Sequence, residues 1–458
     1  MDANITSSLT PALSPGRGRI VRRPFENLYD CIGWKLIRKT RNNRKLFPLP
    51  GERKKGEGGG KHSFHSKCRG NRIARLLIKI HLTGCVIWLV AISATMTGQS
   101  GFGADLTNAT PNPCQSVDAE TLAQWSAPFR NWHYWPTHVI PSSPALPGAT
   151  NILGTDIPTV YQIPGDSKWY MSFVAFDGKG YQSYVAESTN LVDWGNYRLA
   201  MGYGPEGEFD HGGRTIGGFL LESYDLKAPR VLERRDGKFW SLYSAYAQQG
   251  GYELHPDGQG LAVSDDGLTW RRAQDGLVLS IHDPDCGDWE SNRIYMPWLM
   301  EYRGRFFDFY NAAYKSHEQT GVAFSTDLTH WIHYPANPII RNRPGGYDAG
   351  FASDPKVYRD GDHWTMFYFG VGHGGAHIMI AFSRDLMHWT ADPEPLYKAG
   401  GNPSGLDKRY AHKTSLVYNP ANDTFYLFYC ATPGKKGAVT EGRGIGLITS
   451  KPLTDMPR

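Results

Sequence analysis

Four carboxylates and one histidine stand at comparable points of this sequence, each shortly before a stretch that reads as a β-strand. They are Asp156 in LGTDIPTVY, Asp225 in SYDLKAPRV, Glu290 in DWESNRIYMPW, Asp354 in FASDPKVY and His412 in RYAHKTSLVY. Carboxylates held close together raise one another's pKa, which suits one group to donate a proton and another to accept it. If the fold gathers these residues, they predict acid/base chemistry. Taken singly, each also fits a turn cap, a solvated loop residue or an interior histidine.

A repeated sequence motif, which we call the serine-to-tryptophan word, indicates the β-strands that would bring these residues together. Serine precedes tryptophan by six residues in four places, and a fifth copy ends in methionine: Ser188–Trp194, Ser264–Trp270, Ser325–Trp331, Ser383–Trp389 and Ser450–Met456. Each serine follows a short apolar strand and an aromatic strand, and another strand follows the word. Five units of four short strands predict an all-β fold, a five-bladed β-propeller with four-stranded blades.

The repeated word itself is predicted to be architectural. Serine and aspartate bond to their own backbone in turns, and the tryptophan that follows suits burial between neighbouring blades. The last unit ends almost at the C-terminus and lacks its outer strand. A strand within NWHYWPTHVIP, residues 131–141, is predicted to complete that blade and so to remove exposed sheet edges.

The first strand of every propeller blade lines the central channel, so groups at the strand starts are expected to converge. The catalytic candidates are therefore Asp156, Glu290, Asp354 and His412. Candidates for binding a sugar by stacking or hydrogen bonds are Asp225, Arg230, Trp289, Arg293, Trp298, Tyr347, His373, His377 and Tyr410. A glycine-rich insertion, residues 204–219, is predicted to line the same pocket through Asp210, His211 and Arg214.

The N-terminal part of the chain differs in charge from the remainder. Residues 1–81 hold 19 Lys and Arg against 5 Asp and Glu, whereas the rest holds 30 against 39. The predicted propeller is thus acidic overall, and no basic stripe suited to nucleic acid is found there. We expect residues 1–104 to be a basic head with a signal, 105–150 an extension, and 151–458 the propeller.

A largely apolar run of 13 residues, Leu82–Ala94, follows the basic head. A membrane-spanning helix needs about 20 residues, so the run predicts a secretory signal and a secreted or periplasmic protein. The alternative is a single-pass membrane anchor with its basic side in the cytoplasm. Without such an anchor, no stable membrane partner is expected.

These features together resemble the five-bladed propeller glycoside hydrolases of families 43, 32 and 117, and more distantly family 130. The resemblance covers about residues 150–456 and depends on DPKVYRDGDHWTMFY, the serine-to-tryptophan words and the five units. Family 43 implies a base on blade one, which Asp156 matches, with an acid and a pKa-tuning carboxylate on later blades. It also implies an axial metal near a blade-five histidine, here His412. Family 117 has His-Glu where this chain has His412-Lys413.

The sequence therefore predicts an exported glycoside hydrolase that acts on an oligo- or polysaccharide through carboxylate acid/base catalysis. Asp156 would be the base, Asp354 or Glu290 the acid, and the remaining carboxylate the tuner. No cofactor is required, although a calcium or sodium ion on the axis would be structural. The alternatives are a phosphorylase, with Arg230, Arg293, His412 and Lys413 as phosphate ligands, and a non-catalytic carbohydrate-binding propeller.

Overall fold

The computed structural model describes residues 116–251, 254–434 and 442–453. The basic head, the Leu82–Ala94 run and Met456 lie outside these residues, so the expectations about signal and export stay predictions. Among the described residues, no helix is both long enough and apolar enough to cross a membrane. The helices that are described are short: α1 (Ala119–Ser126) and two 3-10 turns, Ala127–Phe129 and Asp288–Glu290.

Almost all other regular structure is β-strand, in five successive antiparallel groups. After β1 (His133–Tyr134), group one contains β2 (Gly154–Tyr161), β3 (Trp169–Phe176), β4 (Tyr181–Ser188) and β5 (Gly195–Met201). Group two contains β6 (Gly213–Phe219), β7 (Arg234–Arg235), β8 (Lys238–Tyr246), β9 (Gly258–Ser264), β10 (Arg271–Arg272) and β11 (Leu279–Ser280). Group three contains β12 (Arg293–Tyr302), β13 (Arg305–Tyr314), β14 (His317–Ser325) and β15 (Trp331–His333). Group four contains β16 (Phe351–Asp360), β17 (His363–Gly372), β18 (Gly375–Ser383) and β19 (Trp389–Ala391), and group five contains β20 (Tyr410–Asn419), β21 (Thr424–Thr432) and β22 (Gly444–Thr449).

Short parallel bridges join several neighbouring groups, each from a third strand to the next group's first strand. They link Tyr181 to Gly213, Glu318 to Phe351 and Ala376 to Tyr410. A third strand and the next first strand therefore begin at the same end of the sheets, which we call the mouth. The paired strands form one sheet of 12 strands and one of 10, and among the described residues no strand pairing joins the two sheets into a closed ring.

The predicted N-terminal strand is confirmed. His133 pairs with Thr449 and Tyr134 with Ile448, so β1 adds a fourth strand to group five. The polypeptide continues along the same edge, where Val139 N donates to Ile445 O at 2.8 Å. Hydrogen bonds that β22 would otherwise leave to solvent are thereby satisfied.

The serine-to-tryptophan word is a turn between the third and fourth strands, as predicted. In group three, the Ser325 hydroxyl accepts from Leu328 N at 3.0 Å, and Leu328 takes a left-handed conformation with φ 67°. The Trp331 indole then donates to Leu328 O at 2.8 Å and is buried. The words that begin at Ser188 and Ser383 repeat these contacts.

The first strand of group two differs from the prediction. It is β6, within the segment treated as an insertion, and not the stretch APRVLER. Two glycines explain why this segment packs innermost: a Cβ on Gly218 would lie 2.9 Å from Pro297, and one on Gly217 would lie 3.1 Å from Thr159 Oγ1. The stretch around Val231 instead crosses the far end of the first strands, where Val231 bridges to Gln162.

Candidate functional site

Each first strand carries an irregularity at the same depth, and this feature positions the site. The strands β2, β12, β16 and β20 each contain a bulge with one non-glycine residue in the left-handed region: Ile157, Met296, Asp354 and Lys413, with φ of 54–55°. In β6 the corresponding residue is Gly217. A bulge of this kind re-aims the side chains next to it. Here the bulges turn side chains from different groups toward one another.

The first strands of groups one to four converge, as the sequence predicts. Ile157, Gly217, Met296 and Lys356 line one cavity of about 10 Å³, together with Thr159, Thr215, Ile216 and Pro297. That volume holds about a single water molecule. The first strands are therefore packed closely together at this depth.

Asp156 lies at the bulge of β2 and is buried. Its Oδ2 accepts hydrogen bonds from Lys413 Nζ at 2.6 Å and Arg443 Nη1 at 2.7 Å, and its Oδ1 accepts from Ile157 N at 2.9 Å. Burial alone would raise the pKa of Asp156, but the two cations outweigh it and hold the pKa well below its usual range. This carboxylate is therefore ionised at any ordinary working pH.

Asp354 lies at the bulge of β16 and is also buried. Its Oδ1 accepts from Lys356 Nζ at 2.7 Å, whereas its Oδ2 is buried without a hydrogen-bond partner among the described residues. Lys356 is itself 2% exposed and lies over the Trp298 ring, 5.5 Å from its centroid. Asp354 is therefore held in the interior beside Lys356, which lines the cavity between the first strands.

Glu318 is a carboxylate at the mouth that the sequence analysis missed. It lies near the start of β14, is 5% exposed, and accepts from Ser353 Oγ at 2.8 Å and Asn311 Nδ2 at 3.3 Å. Ser353 directly precedes Asp354, so the two carboxylates are linked through adjacent residues. The nearest cationic nitrogen is Arg293 Nη1, 3.8 Å from Glu318 Oε1. The available signal was a lone acidic residue at the start of a third strand, which begins at the same end as the first strands.

Glu290 does not lie with these carboxylates. It takes part in a carboxylate-to-tyrosine contact that occurs in four of the five groups. Its Oε2 accepts from Tyr310 OH at 2.5 Å, and its Oε1 lies 3.1 Å from His333 Nδ1. The same carboxylate-to-tyrosine contact joins Asp210 to Tyr243, Asp348 to Tyr368 and Asp407 to Tyr429 at 2.9–3.0 Å. Each of these carboxylates precedes its bulge residue by six or seven positions. Glu290 therefore ties a loop to the second strand, and the structure does not bring it together with Asp156 or Asp354 as predicted.

His412 lies next to Asp156 but is buried and neutral. Burial, with Lys413 and Arg443 nearby, lowers the pKa of His412 to about 3. Its Nδ1 lies 3.1 Å from Cys430 O, and its ring packs edge-on against Phe369. A histidine in this environment does not carry a proton at neutral pH, which removes it as the general acid.

Two of the predicted sugar-binding residues lie at the far end of the first strands, and a third, Trp298, lies in the interior. Arg230 is 1% exposed, donates to Asp225 O and Leu226 O at 2.8 Å each, and stacks on Tyr358. Asp225 bridges to Arg359 on the same far side. Trp298 is buried and donates to Val357 O at 3.0 Å. These positions correct the prediction, because the segment around Arg230 crosses the axis instead of starting a blade.

Other predicted residues divide between mouth and interior. Arg293, His377 and Tyr410 lie at or near strand starts on the mouth side, and Tyr347 packs against His377 with ring centroids 5.1 Å apart. His373 lies 4.4 Å from the same Tyr347 ring. Trp289 packs instead against Tyr310 in the interior of group three, which corrects its assignment to the mouth.

The candidate residues of the glycine-rich insertion mostly form hydrogen bonds with one another and with neighbouring side chains. Asp210 is fully buried and bonds to Arg214 at 2.7 Å, to Tyr243 at 2.9 Å and to Arg272 Nε at 2.8 Å. The His211 ring lies 3.4 Å from Gly204 O. Asp210 and Arg214 are thus held in the turn that leads into β6, and the structure does not bring them together with Asp156.

Among the described residues, one group of side chains could offer a metal site, and its chemistry does not fit a bound ion. Asp156, His412 and Cys430 have potential ligand atoms within 4.8 Å of one another. However, the Asp156 carboxylate already accepts hydrogen bonds from Lys413 and Arg443, so it is not free to bind a metal ion. Burial raises the pKa of the Cys430 thiol, so no thiolate is available as a ligand. The cavity between the first strands is lined by Lys356, which pairs with Asp354.

Comparisons with known proteins agree with this architecture. A model of the Glycosyl hydrolases family 32 N-terminal domain matches residues 260–405, which include Glu318 and Asp354. The solved complex of BT0996 and RGII is similar over 69% of this protein and 93% of its own length, with a TM-score of 0.57 and 26% identity. Another solved structure, named Glycoside hydrolase, is similar over 75% and 99%, with a TM-score of 0.60 and 25% identity.

A protein of Parabacteroides distasonis ATCC 8503, assigned as a glycoside hydrolase, has a TM-score of 0.50 at 13% identity over 72% of this protein and all of its own length. No curated protein matches the sequence. The resemblance to propeller glycoside hydrolases is thus confirmed, and the comparisons support a carbohydrate-active enzyme of the glycosidase type.

Proposed function

We propose that this protein is an exported glycoside hydrolase whose five strand groups close into a five-bladed propeller. Closure between the last and first groups is supported by hydrogen bonds from Thr155 N to Arg443 O at 3.1 Å and from Val160 N to Ser415 Oγ at 3.0 Å. Ile294 N donates to Pro256 O at 3.2 Å between groups two and three. In a closed ring the five bulges face one axis, and the mouth above it is the site of reaction.

The observation that carries the proposal is the set of three buried carboxylates at this end of the axis. Asp156, Glu318 and Asp354 come from groups one, three and four, and each is oriented by fixed partners. Glycoside hydrolysis needs one carboxylic acid to protonate the leaving oxygen and one carboxylate to activate water or attack the sugar. Three buried carboxylates from different groups supply candidates for both of these roles.

The partners distinguish the roles of the three carboxylates. Asp156 is bound by two cations, so it stays ionised and acts as the base. Asp354 is bound by the Lys356 ammonium and acts as the tuning charge. Glu318 has hydrogen-bonding partners that are uncharged, and Arg293 lies beyond hydrogen-bonding distance at 3.8 Å. Because its hydrogen-bonding partners are uncharged, Glu318 differs from the other two carboxylates, and we assign it as the general acid.

Isotope labelling of the product tests the reaction itself. A panel of aryl glycosides, together with the RGII that is named in the BT0996 complex, would be incubated with the protein in H₂¹⁸O and 10 mM phosphate. Hydrolysis is expected to place one ¹⁸O in the released sugar, and both Asp156→Asn and Glu318→Gln are expected to lose about 10²–10⁴-fold in rate. A sugar phosphate as product would contradict hydrolysis, and full activity in both variants would contradict the assigned site.

Export is proposed on the basic head and the Leu82–Ala94 run. N-terminal sequencing of the protein from its native host is expected to begin between about residues 94 and 110, because cleavage follows the apolar run of a signal. A cytosolic protein that still begins at Met1 would contradict export. A full-length protein in the membrane fraction would instead support the anchor.

A further inference from the structure

Glu318 stands at a position where the neighbouring groups carry no acid. It forms the parallel bridge at the start of β14, and the equivalent bridges of groups one and four are formed by Tyr181 and Ala376. The carboxylate of Glu290, in contrast, makes a tyrosine contact that four groups repeat. The repeat therefore accounts for Glu290 but not for Glu318. A buried carboxylate is unfavourable unless other groups hydrogen-bond to it, so the groups that hold Glu318 indicate its use.

Two side chains donate to the same oxygen of Glu318. Ser353 Oγ on β16 donates to Oε2 at 2.8 Å, and Asn311 Nδ2 on β13 donates to it at 3.3 Å. Because β14 lies between β13 and β16 in the sheet, Oε2 is held from both sides. Ser353 and Asn311 are both buried, so close packing limits the movement of the two donors.

The other oxygen of Glu318 has a different neighbour. Oε1 lies 3.8 Å from Arg293 Nη1, a separation too long for a hydrogen bond. Arg293 begins β12 at the mouth, and its side chain is 15% exposed, whereas the two residues that hold Oε2 are buried. The two oxygens of this carboxylate are therefore not equivalent.

The hydroxyl of Tyr295 also lies at this carboxylate. Burial raises the pKa of Tyr295 well above its usual range, and the charge of Glu318, to which the hydroxyl is hydrogen-bonded, raises it further. Tyr295 therefore keeps its proton. Because a hydroxyl both donates and accepts, Tyr295 is compatible with Glu318 in either protonation state.

We propose that Ser353 and Asn311 are positioning residues that hold Oε2 of Glu318 as an acceptor, so that Oε1 carries the proton delivered to the leaving oxygen. This inference rests on the proposed role of Glu318 as the general acid. A protonated carboxyl has one O–H group and one carbonyl oxygen, and the oxygen that accepts from two donors is the carbonyl.

The proton transfer then has a defined direction. The Oε1–H bond breaks as its proton passes to the leaving oxygen, which also takes the electron pair of the glycosidic bond. Glu318 is left as a carboxylate, and Arg293 attracts that charge across 3.8 Å. Ser353 and Asn311 do not touch the reacting atoms, and they act only by fixing the carboxyl group.

Infrared difference spectroscopy of the full-length protein tests this arrangement without a substrate. The spectrum of Glu318→Gln would be subtracted from that of the wild type while the pH is lowered, which isolates the C=O stretch of protonated Glu318. A hydrogen bond to a carbonyl oxygen lowers its stretching frequency, so Ser353→Ala and Asn311→Leu are each expected to shift this band upward. A band that is absent from the folded protein, or that moves in neither variant, would overturn the proposal.

Rates on two leaving groups separate positioning from stability. On a sugar that the wild type cleaves, Ser353→Ala and Asn311→Leu are expected to lose about tenfold in kcat/KM for the methyl glycoside and little for the 2,4-dinitrophenyl glycoside, because only the first needs the acid. Ser353→Thr keeps a hydroxyl and is expected to recover part of the loss. Equal losses on both glycosides would contradict a positioning role.

Thr320→Val is the matched control. Thr320 Oγ1 donates to Ala352 O at 2.8 Å, so this variant also removes a buried hydroxyl bond between β14 and β16. We expect it to lower the melting temperature about as much as Ser353→Ala but to leave the dependence on leaving group unchanged. The same dependence in Thr320→Val as in Ser353→Ala would show that the effect is structural, and would overturn the proposal.

The two proposals fail separately. A leaving-group effect in Glu318→Gln that is absent from Ser353→Ala and Asn311→Leu would leave the glycosidase and remove the positioning role. Shifted infrared bands without cleavage of any glycoside would leave the arrangement around Glu318 and remove the glycosidase.

Discussion

Replacing Glu290 by Gln separates an architectural carboxylate from a catalytic one. Glu290 and His333 are each 1% exposed at the side chain, and 3.1 Å separates their oxygen and nitrogen. Burial would lower the pKa of His333, but the neighbouring carboxylates of Asp283 and Glu290 outweigh it and raise the pKa to about 9. Compared with an unfolded value of about 6.5, the difference of roughly 2.5 units corresponds to about 3 kcal/mol of stability.

The sign of this contribution fixes its pH window. Because the folded pKa of His333 is raised, the stability is fully present below about pH 6.5 and is lost as the pH rises through about 9. Glu290→Gln removes one of the negative charges that hold the proton, while Asp283 and Asp285 remain. We expect it to lower the free energy of unfolding by at most about 3 kcal/mol at pH 6.5 and by much less at pH 9.5, with kcat nearly unchanged.

Urea unfolding followed by tryptophan fluorescence at pH 6.5 and 9.5 measures this difference. The control is Asp348→Asn, which breaks the equivalent contact in group four, where the cation is Arg343. Since arginine stays charged at both pH values, this variant should lose the same stability at each. A Glu290→Gln protein with native stability and a rate reduced 100-fold or more would refute the architectural reasoning.

Three further predictions test the described interior. Burial raises the pKa of Asp308 to about 7, so ionisation of this carboxyl destabilises the fold as the pH rises above about 4. Asp308→Asn should therefore stabilise the protein by up to about 4 kcal/mol at pH 8 and by little at pH 4. Urea unfolding at the two pH values measures this difference. The pKa of Asp156 is lowered, so its ion pairs stabilise the fold above about pH 4 and are lost in acid; Asp156→Asn should flatten the acid limb of thermal stability against pH. The Lys356 ammonium lines the cavity between the first strands, so 5 mM EDTA should leave the melting temperature unchanged. Lys356→Met should lower the melting temperature by several degrees. A large drop of the wild-type melting temperature in EDTA would reveal a bound metal.

The parts of the fold that repeat locally could be predicted from the sequence. Each serine-to-tryptophan word contains its own turn, because the Ser325 hydroxyl and Trp331 indole bond within the same seven residues. The strand that completes group five was predictable for a similar reason, since an unpaired edge at β22 requires a partner. The position of Asp354 followed from its place before a strand that begins at the mouth.

The errors arose where a long-range contact decides the position. The first strand of group two was missed because its glycines, such as Gly218, signal a loop in sequence but permit close packing against Pro297 in the fold. The sequence places Arg230 at the mouth for the same reason, because its segment then stands in for β6 as the expected first strand. Glu290 resembled a catalytic residue because its partners Tyr310 and His333 lie 20 and 43 residues away. Glu318 was missed because only first strands were searched for acids.

The dependence of rate on the leaving group tests the proposed roles of Glu318 and Asp156 most directly. A general acid is needed for a poor leaving group but hardly for a good one, whereas the base is needed for both. With a cleavable sugar known, kcat/KM would be measured for its methyl and 2,4-dinitrophenyl glycosides. Glu318→Gln is expected to lose about 10²–10⁴-fold on the methyl glycoside and less than about tenfold on the dinitrophenyl glycoside, and Asp156→Asn to lose heavily on both. Equal losses of Glu318→Gln on both substrates, or native rates in either variant, would contradict the account.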